Sequence, residues 1–142
     1  MKITITNIEG PVPVTILQLE GKLDGANYES LIDEAQKVYE DGVRDLILDL
    51  SQLTFISSAG MVALHQVALL FRGEKNPFQD EGWAAYRSIK RDRDNGTQKH
   101  VKLISPSEPV QQVLDMTGFG SLFESFADFR QAADSFQQGS PA

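Results

Sequence analysis

The chain has 142 residues, 41% of them hydrophobic, which is about one domain's worth; a globular chain of this size buries roughly two thirds of its unfolded surface. Its net charge of −7 argues against nucleic acid as a direct partner, because neutralising a phosphate backbone needs a clustered positive surface. The absence of cysteine excludes disulfides, thiolate nucleophiles and zinc-thiolate sites together.

No stretch is long and apolar enough for a membrane span, and "MKITITNIEG" is no basic region followed by a hydrophobic block. The expectation is a cytoplasmic protein without membrane insertion. Charge is unevenly spread. Residues 72–99 hold seven of the 13 Lys and Arg against five acids, so an acidic body carries a mildly basic segment.

In chain order, "KITITN" and "VTILQL" alternate with period two around the turn-forming "EGPVP", predicting a hairpin of strands at 2–7 and 14–20. "GKLDGANYES" breaks that pattern. From Ala26, the apolar positions Leu31, Ile32, Ala35, Val38 and Tyr39 recur at three and four, a helical stripe that ends near Gly42, a residue suited to a left-handed cap. "RDLILDL", 44–50, reads as a buried strand. "MVALHQVALLF" is apolar nearly all round, so that helix is expected to be covered on more than one side.

Residues 72–99 lose all periodicity and read as a long insert, within which "EGWAAYRSI" has the composition of a short helix. "HVKLIS" returns to strand character. Ser107 then stands as a helix N-cap, with Pro109 in the first turn and Gly118 at the stop. "SLFESF" predicts a short strand, "DFRQAADSF" a helix capped by Asp128, and residues 137–142 a frayed tail.

The resulting order is strand, strand, helix, strand, helix, insert, strand, helix, strand, helix. Such alternation implies an α/β fold with a mixed, mostly parallel sheet of about five strands and about four helices. Binding is expected on the loops at the carboxyl ends of the strands, where "FISSAG" lies.

Ser57 and Ser58 do not read as hydrolytic nucleophiles, because a nucleophile elbow needs glycine two before and two after the serine, and Ile56 stands before Ser58. His65, seven residues on in the same helix, lies roughly 10 Å from Ser58 by helix rise. With His100 as the only other histidine, no metal site or cofactor site emerges, and no Gly-rich phosphate loop with lysine is present. The chain is expected not to be an enzyme. What the two serines do fit is a helix start. Their hydroxyls cap orphan amides, and the same amides with the positive dipole end accommodate a phosphate.

Three segments, in this order and spacing, carry a resemblance: "GKLD" at 21–24, "LILDLSQLTFISSAGM" at 46–61 and "VKLISPSEPVQQVLDMTGF" at 101–119. Together they resemble the STAS domain of bacterial anti-sigma factor antagonists, as a single domain over 1–136. The insert at 72–99 is far longer than the tight turn usual there. In that family the loop reads Asp-Ser-Ser-Gly or Asp-Ser-Thr-Gly, and the serine after the Asp is phosphorylated by an anti-sigma factor that is also a kinase.

Counting back from Gly60, the resemblance implies phosphorylation at Ser58, with Ser57 as second choice. Ser57 stands where the Asp is usual and Ala59 replaces the second hydroxyl. The implied partner surface comprises Asp24, Ser57, Ser58, Ala59, Gly60 and Met61. Asp24 read by itself is an Asp turn or the start of a helix. The partner would be an anti-sigma factor with serine kinase activity, bound when Ser58 is unmodified and released by its phosphorylation. The rival reading is a STAS module that is never phosphorylated and serves as scaffold, ligand sensor or lipid-transport subunit.

In the insert, Trp83, Tyr86, Arg87, Arg91 and Arg93 read either as a tolerated surface loop or as a contact for an acidic partner or a second copy, the latter making a weak homo-oligomer.

Overall fold

The computed structural model describes residues 1–8, 13–71, 98–118 and 123–138. Strands β1 (Lys2–Ile8), β2 (Val14–Leu23), β3 (Asp45–Ile56), β4 (Gln98–Ile104) and β5 (Phe123–Phe126) lie side by side in sequence order. β1 pairs antiparallel with β2, and the remaining three pairings are parallel. Helices α1 (Tyr28–Glu40), α2 (Ser58–Phe71), α3 (Glu108–Thr117) and α4 (Phe129–Gln138) complete the expected alternation.

Strand parity assigns the two faces. Leu17 and Leu19 on β2, Leu46, Leu48 and Leu50 on β3, and Val101 and Leu103 on β4 enter the main core, with Leu31, Ala35 and Val38 of α1, Leu64 and Val67 of α2, and Val110 and Leu114 of α3. The intervening Val14, Ile47 and Ile104 face the other way, onto Ala132 and Phe136 of α4. One face thus carries three helices and the other carries one. α2 is buried continuously from Ala63 to Phe71, as its all-round apolarity predicts.

The second face holds a buried lysine. Lys102 points under α4, where its ammonium donates to Ser135 Oγ at 2.7 Å, lies 3.5 Å from Glu124 and sits 4.5 Å above the Phe136 ring. A charge so placed is tolerated because it is paired and its stem packs as a hydrocarbon.

Several boundaries differ from the sequence reading. β3 does not stop at Leu50 but runs on through "SQLTFI", with Leu53 and Ile56 still buried while Gln52, Thr54 and Phe55 are exposed. β2 likewise continues through "GKL", because Gly21 adopts φ +99° at a register shift against β3 and lets the strand proceed. α1 begins at Tyr28, two residues after Ala26, since Asn27 is held in the preceding turn. Gln98 and Lys99, expected in the insert, belong to β4. Gln137 and Gln138, expected in the frayed tail, are the last residues of α4. The proposed helix in the insert, residues Trp83, Tyr86, Arg87, Arg91 and Arg93, and the rest of the tail from 139 lie outside the described residues.

The caps mostly fall as expected. Gly42 and Gly118 both adopt positive φ after their helices, and Asp128 accepts the Gln131 amide at 2.9 Å. Ser107 is the exception in chemistry. It occupies the N-cap position of α3 but makes no side-chain cap, its hydroxyl donating to the Leu53 carbonyl instead.

Candidate functional site

The carboxyl ends of β2 and β3 create the site. Parallel pairing sets Leu23 opposite Ile56, so Asp24 and Ser57 are the first residues beyond two adjacent strands. The Ser57 amide donates to the Leu23 carbonyl at 2.9 Å and adds one more rung to that ladder. The chain then turns at once into α2.

Ser57 is the cap of that helix. Its hydroxyl accepts the Gly60 amide at 3.2 Å, and its carbonyl accepts the Met61 amide at 3.0 Å. Ser58 is the first residue of α2, exposed, and its hydroxyl has no hydrogen-bond partner among the described residues. The two adjacent serines therefore divide the work: one hydroxyl is spent on the backbone, and the other faces outward. The first turn of α2 contains no acidic residue to offset its dipole.

Gly60 explains itself by contact. A Cβ there would meet the Leu23 carbonyl at 2.7 Å, Ile56 Cγ1 at 2.8 Å and Leu23 Cγ at 2.9 Å, so only a hydrogen fits between α2 and the end of β2. This close approach holds the serine loop against the Asp24 loop.

The Asp24 loop is internally stitched. The Asp24 carboxylate accepts the Ala26 amide at 2.9 Å, an Asx turn, while its carbonyl accepts the Tyr28 amide at 2.9 Å. Asn27 locks the turn from the far side, accepting the Asp24 amide at 3.0 Å and donating to the Lys22 carbonyl at 2.8 Å.

Of the residues expected at the partner surface, Asp24, Ser57, Ser58, Ala59, Gly60 and Met61 all fall on these two joined loops. Ser58 is the exposed member, Gly60 is buried, and Met61 packs partly against the main core. Sequence reasoning missed Asn27 and Phe55. Asn27 was detectable as an amide just ahead of a helical stripe, whereas Phe55, 46% exposed on the β3 extension beside the loop, left no signal once that strand was ended at Leu50.

Neither histidine joins this site. His65 is fully buried within α2, and His100 pairs with Asp45 at 3.1 Å near the opposite end of β3. Among the described residues no cluster of three or more His, Cys, Asp or Glu is placed to hold a metal, and no helix is long and apolar enough to cross a membrane.

Comparison with known proteins agrees with this architecture. Over 141 residues the chain is 28% identical to BtrV of Bordetella bronchiseptica, named as an anti-sigma factor antagonist, covering 99% of each. A solved anti-sigma factor antagonist from Mycobacterium paratuberculosis superimposes with a TM-score of 0.63 at 15% identity, covering 96% of this chain and 95% of that one. The Bacillus cell fate determinant SpoIIAA in its phosphorylated form gives a TM-score of 0.50 at 17% identity, covering 92% and 97%. At such identities the solved structures speak for the fold. The STAS domain profile matches residues 4–74, a stretch that contains both joined loops, and the chain belongs to that family.

Proposed function

We propose that the protein is an anti-sigma factor antagonist that binds an anti-sigma factor with serine kinase activity and is released when Ser58 is phosphorylated. The observation that carries this reading is the contrast between two neighbouring hydroxyls: Ser57 is engaged as cap, and Ser58 is exposed at the start of the same helix. A phosphate on Ser58 would sit at the positive end of α2, whose first turn has no acid of its own, so the fold tolerates it. The near-full-length likeness to an antagonist from Bordetella, and to a Bacillus relative solved in a phosphorylated form, supports the same reading.

The added charge of about −2 acts on the docked partner through like-charge repulsion and desolvation. A penalty of about 3 kcal/mol lowers affinity more than 100-fold without any change of fold. With the purified kinase and ATP, Ser58→Ala is expected to stay unmodified and bound, whereas Ser58→Asp binds at least tenfold more weakly in the absence of ATP. Equal phosphate incorporation into wild type and Ser58→Ala would reject the site.

A second reading rests on one observation, Ser57 in the place of the family's usual Asp. A kinase that recognises that carboxylate finds a hydroxyl here, which fits a binding module that is never modified. Intact mass of the protein isolated from its own cells separates the two: a phosphate on Ser58 supports the switch, and its absence under all growth conditions supports the module.

A further inference from the structure

The two edges of the sheet are protected very differently. β5 is four residues long, its pairing with β4 has a register shift, and Glu124 stands exposed on it. These are the devices by which proteins blunt an edge. β1 has only one of them, an exposed lysine at its start. It runs seven residues in unbroken register with β2, contains no proline, and carries only one charge, Lys2, at its start. Among the described residues nothing pairs with its outer side.

A second observation converges on the same strand. Between β1 and the end of α1 lies an open groove of about 630 Å³, lined by Ile5, Val38 and Val43 and by the charged Glu34, Lys37 and Asp41. Ile5 is 46% exposed in its wall. A partly apolar wall beside a strand edge with no partner among the described residues leaves both the backbone of β1 and its exposed Ile5 half-satisfied.

We propose that β1 is a homodimerisation edge, pairing antiparallel with β1 of a second copy to make one continuous ten-stranded sheet. The strand itself points to this occupant, because "KITITNI" is self-complementary over most of its length when centred on Thr4. With Thr4 opposite Thr4 of the other copy, Ile3 faces Ile5 and Ile5 faces Ile3 on the α1 side, extending the groove wall. Thr4 and Lys2 meet only Thr4 and Thr6 on the opposite side. Shifting by one residue in each copy toward the carboxyl end would set Ile3 against Asn7 and Lys2 against Ile8, which mismatches polarity, and shifting the other way leaves only residues 1–5 in the ladder. Strand addition supplies main-chain hydrogen bonds, and the isoleucine pairs supply register.

The arrangement has a functional geometry. An antiparallel β1 pair points the carboxyl ends of the two β2–β3 units in opposite directions. Both Ser57–Ser58 loops therefore stay open, and one dimer can engage two partners. The interface is small, so association is expected in the range of roughly 10–100 µM. Each copy carries −7, so raising salt strengthens it.

Sedimentation equilibrium of the full chain tests the idea, supported by cross-linking, which the absence of native cysteine keeps clean. Wild type is expected to dimerise more tightly at high salt than at low salt. Ile5→Lys, at an exposed position and with an unchanged circular dichroism spectrum, is expected to weaken the dimer at least tenfold. On mild oxidation Thr4→Cys should form a covalent dimer and Thr6→Cys, facing Lys2, should not. A monomer at about 1 mM in both salts, a dimer indifferent to Ile5→Lys, or equal cross-linking at positions 4 and 6 would each overturn the proposal.

Discussion

Two strand-to-helix junctions at the same end of the sheet use serine for opposite purposes. At the β3–α2 junction Ser57 caps its own helix and Ser58 is left exposed. At the β4–α3 junction Ser107 also holds the N-cap position, yet its hydroxyl reaches across to the Leu53 carbonyl of β3, and Ser105 donates to the Ala127 carbonyl beyond β5. Ser105 takes φ 45° to do so, a conformation uncommon outside glycine, with its own amide donating to Phe126. One junction is built to present a hydroxyl, the other to consume two. A serine's placement in a cap motif therefore does not say whether it is available for chemistry; the destination of its hydroxyl does.

The largest effect that sharpens this contrast is at Gly60. Gly60→Ala adds a methyl 2.7 Å from the Leu23 carbonyl, a backbone atom that cannot swing aside. The expected loss is about 2 kcal/mol in thermal or denaturant unfolding, although alanine is intrinsically the better helix former by about 1 kcal/mol. A fully stable Gly60→Ala protein would mean that the two loops are not held as tightly as described.

Next comes the bridging serine. Ser107→Ala deprives a β3 carbonyl of its donor and is expected to cost about 1.5 kcal/mol, with the proposed phosphate incorporation at Ser58 unchanged. A comparable stability with lost phosphorylation would invert the roles assigned to the two junctions.

The smallest effects discriminate between adjacent residues. Ser57→Ala loses a cap and is expected to destabilise by about 1 kcal/mol, whereas Ser58→Ala stays within about 0.5 kcal/mol of wild type. Ser57→Asp keeps the cap and adds a charge that suits the helix start, so its stability should equal or exceed that of wild type. The comparison fails if unfolding shows Ser58→Ala to be the more damaging of the two alanines.

The order of elements was legible in the chain because period-two and helical patterns alternate cleanly and the Gly and Asp stops fall between them. The ends of β2 and β3 were not legible. Gly21 looked like a break and is a bend within a strand, and the polar "SQLT" looked like a loop because much of that extension is exposed. The serine loop and Asp24 were singled out through motif and spacing, but the reason for Gly60 is tertiary: it depends on how closely α2 approaches Leu23. Lys102 was illegible for a similar cause. A lysine alternating with apolar residues reads as solvent-facing, and only the arrival of α4, with Ser135 to receive its ammonium, places it inside.

The close approach at Gly60 also bears on the speed of recognition. Because Leu23, Ile56 and Gly60 are in mutual contact, the Asp24 and Ser58 loops form one preformed surface, and a docking partner has little loop motion to arrest. Encounter should then be governed by diffusion and orientation, with any effect of the proposed phosphorylation of Ser58 expressed mainly in how long a complex survives.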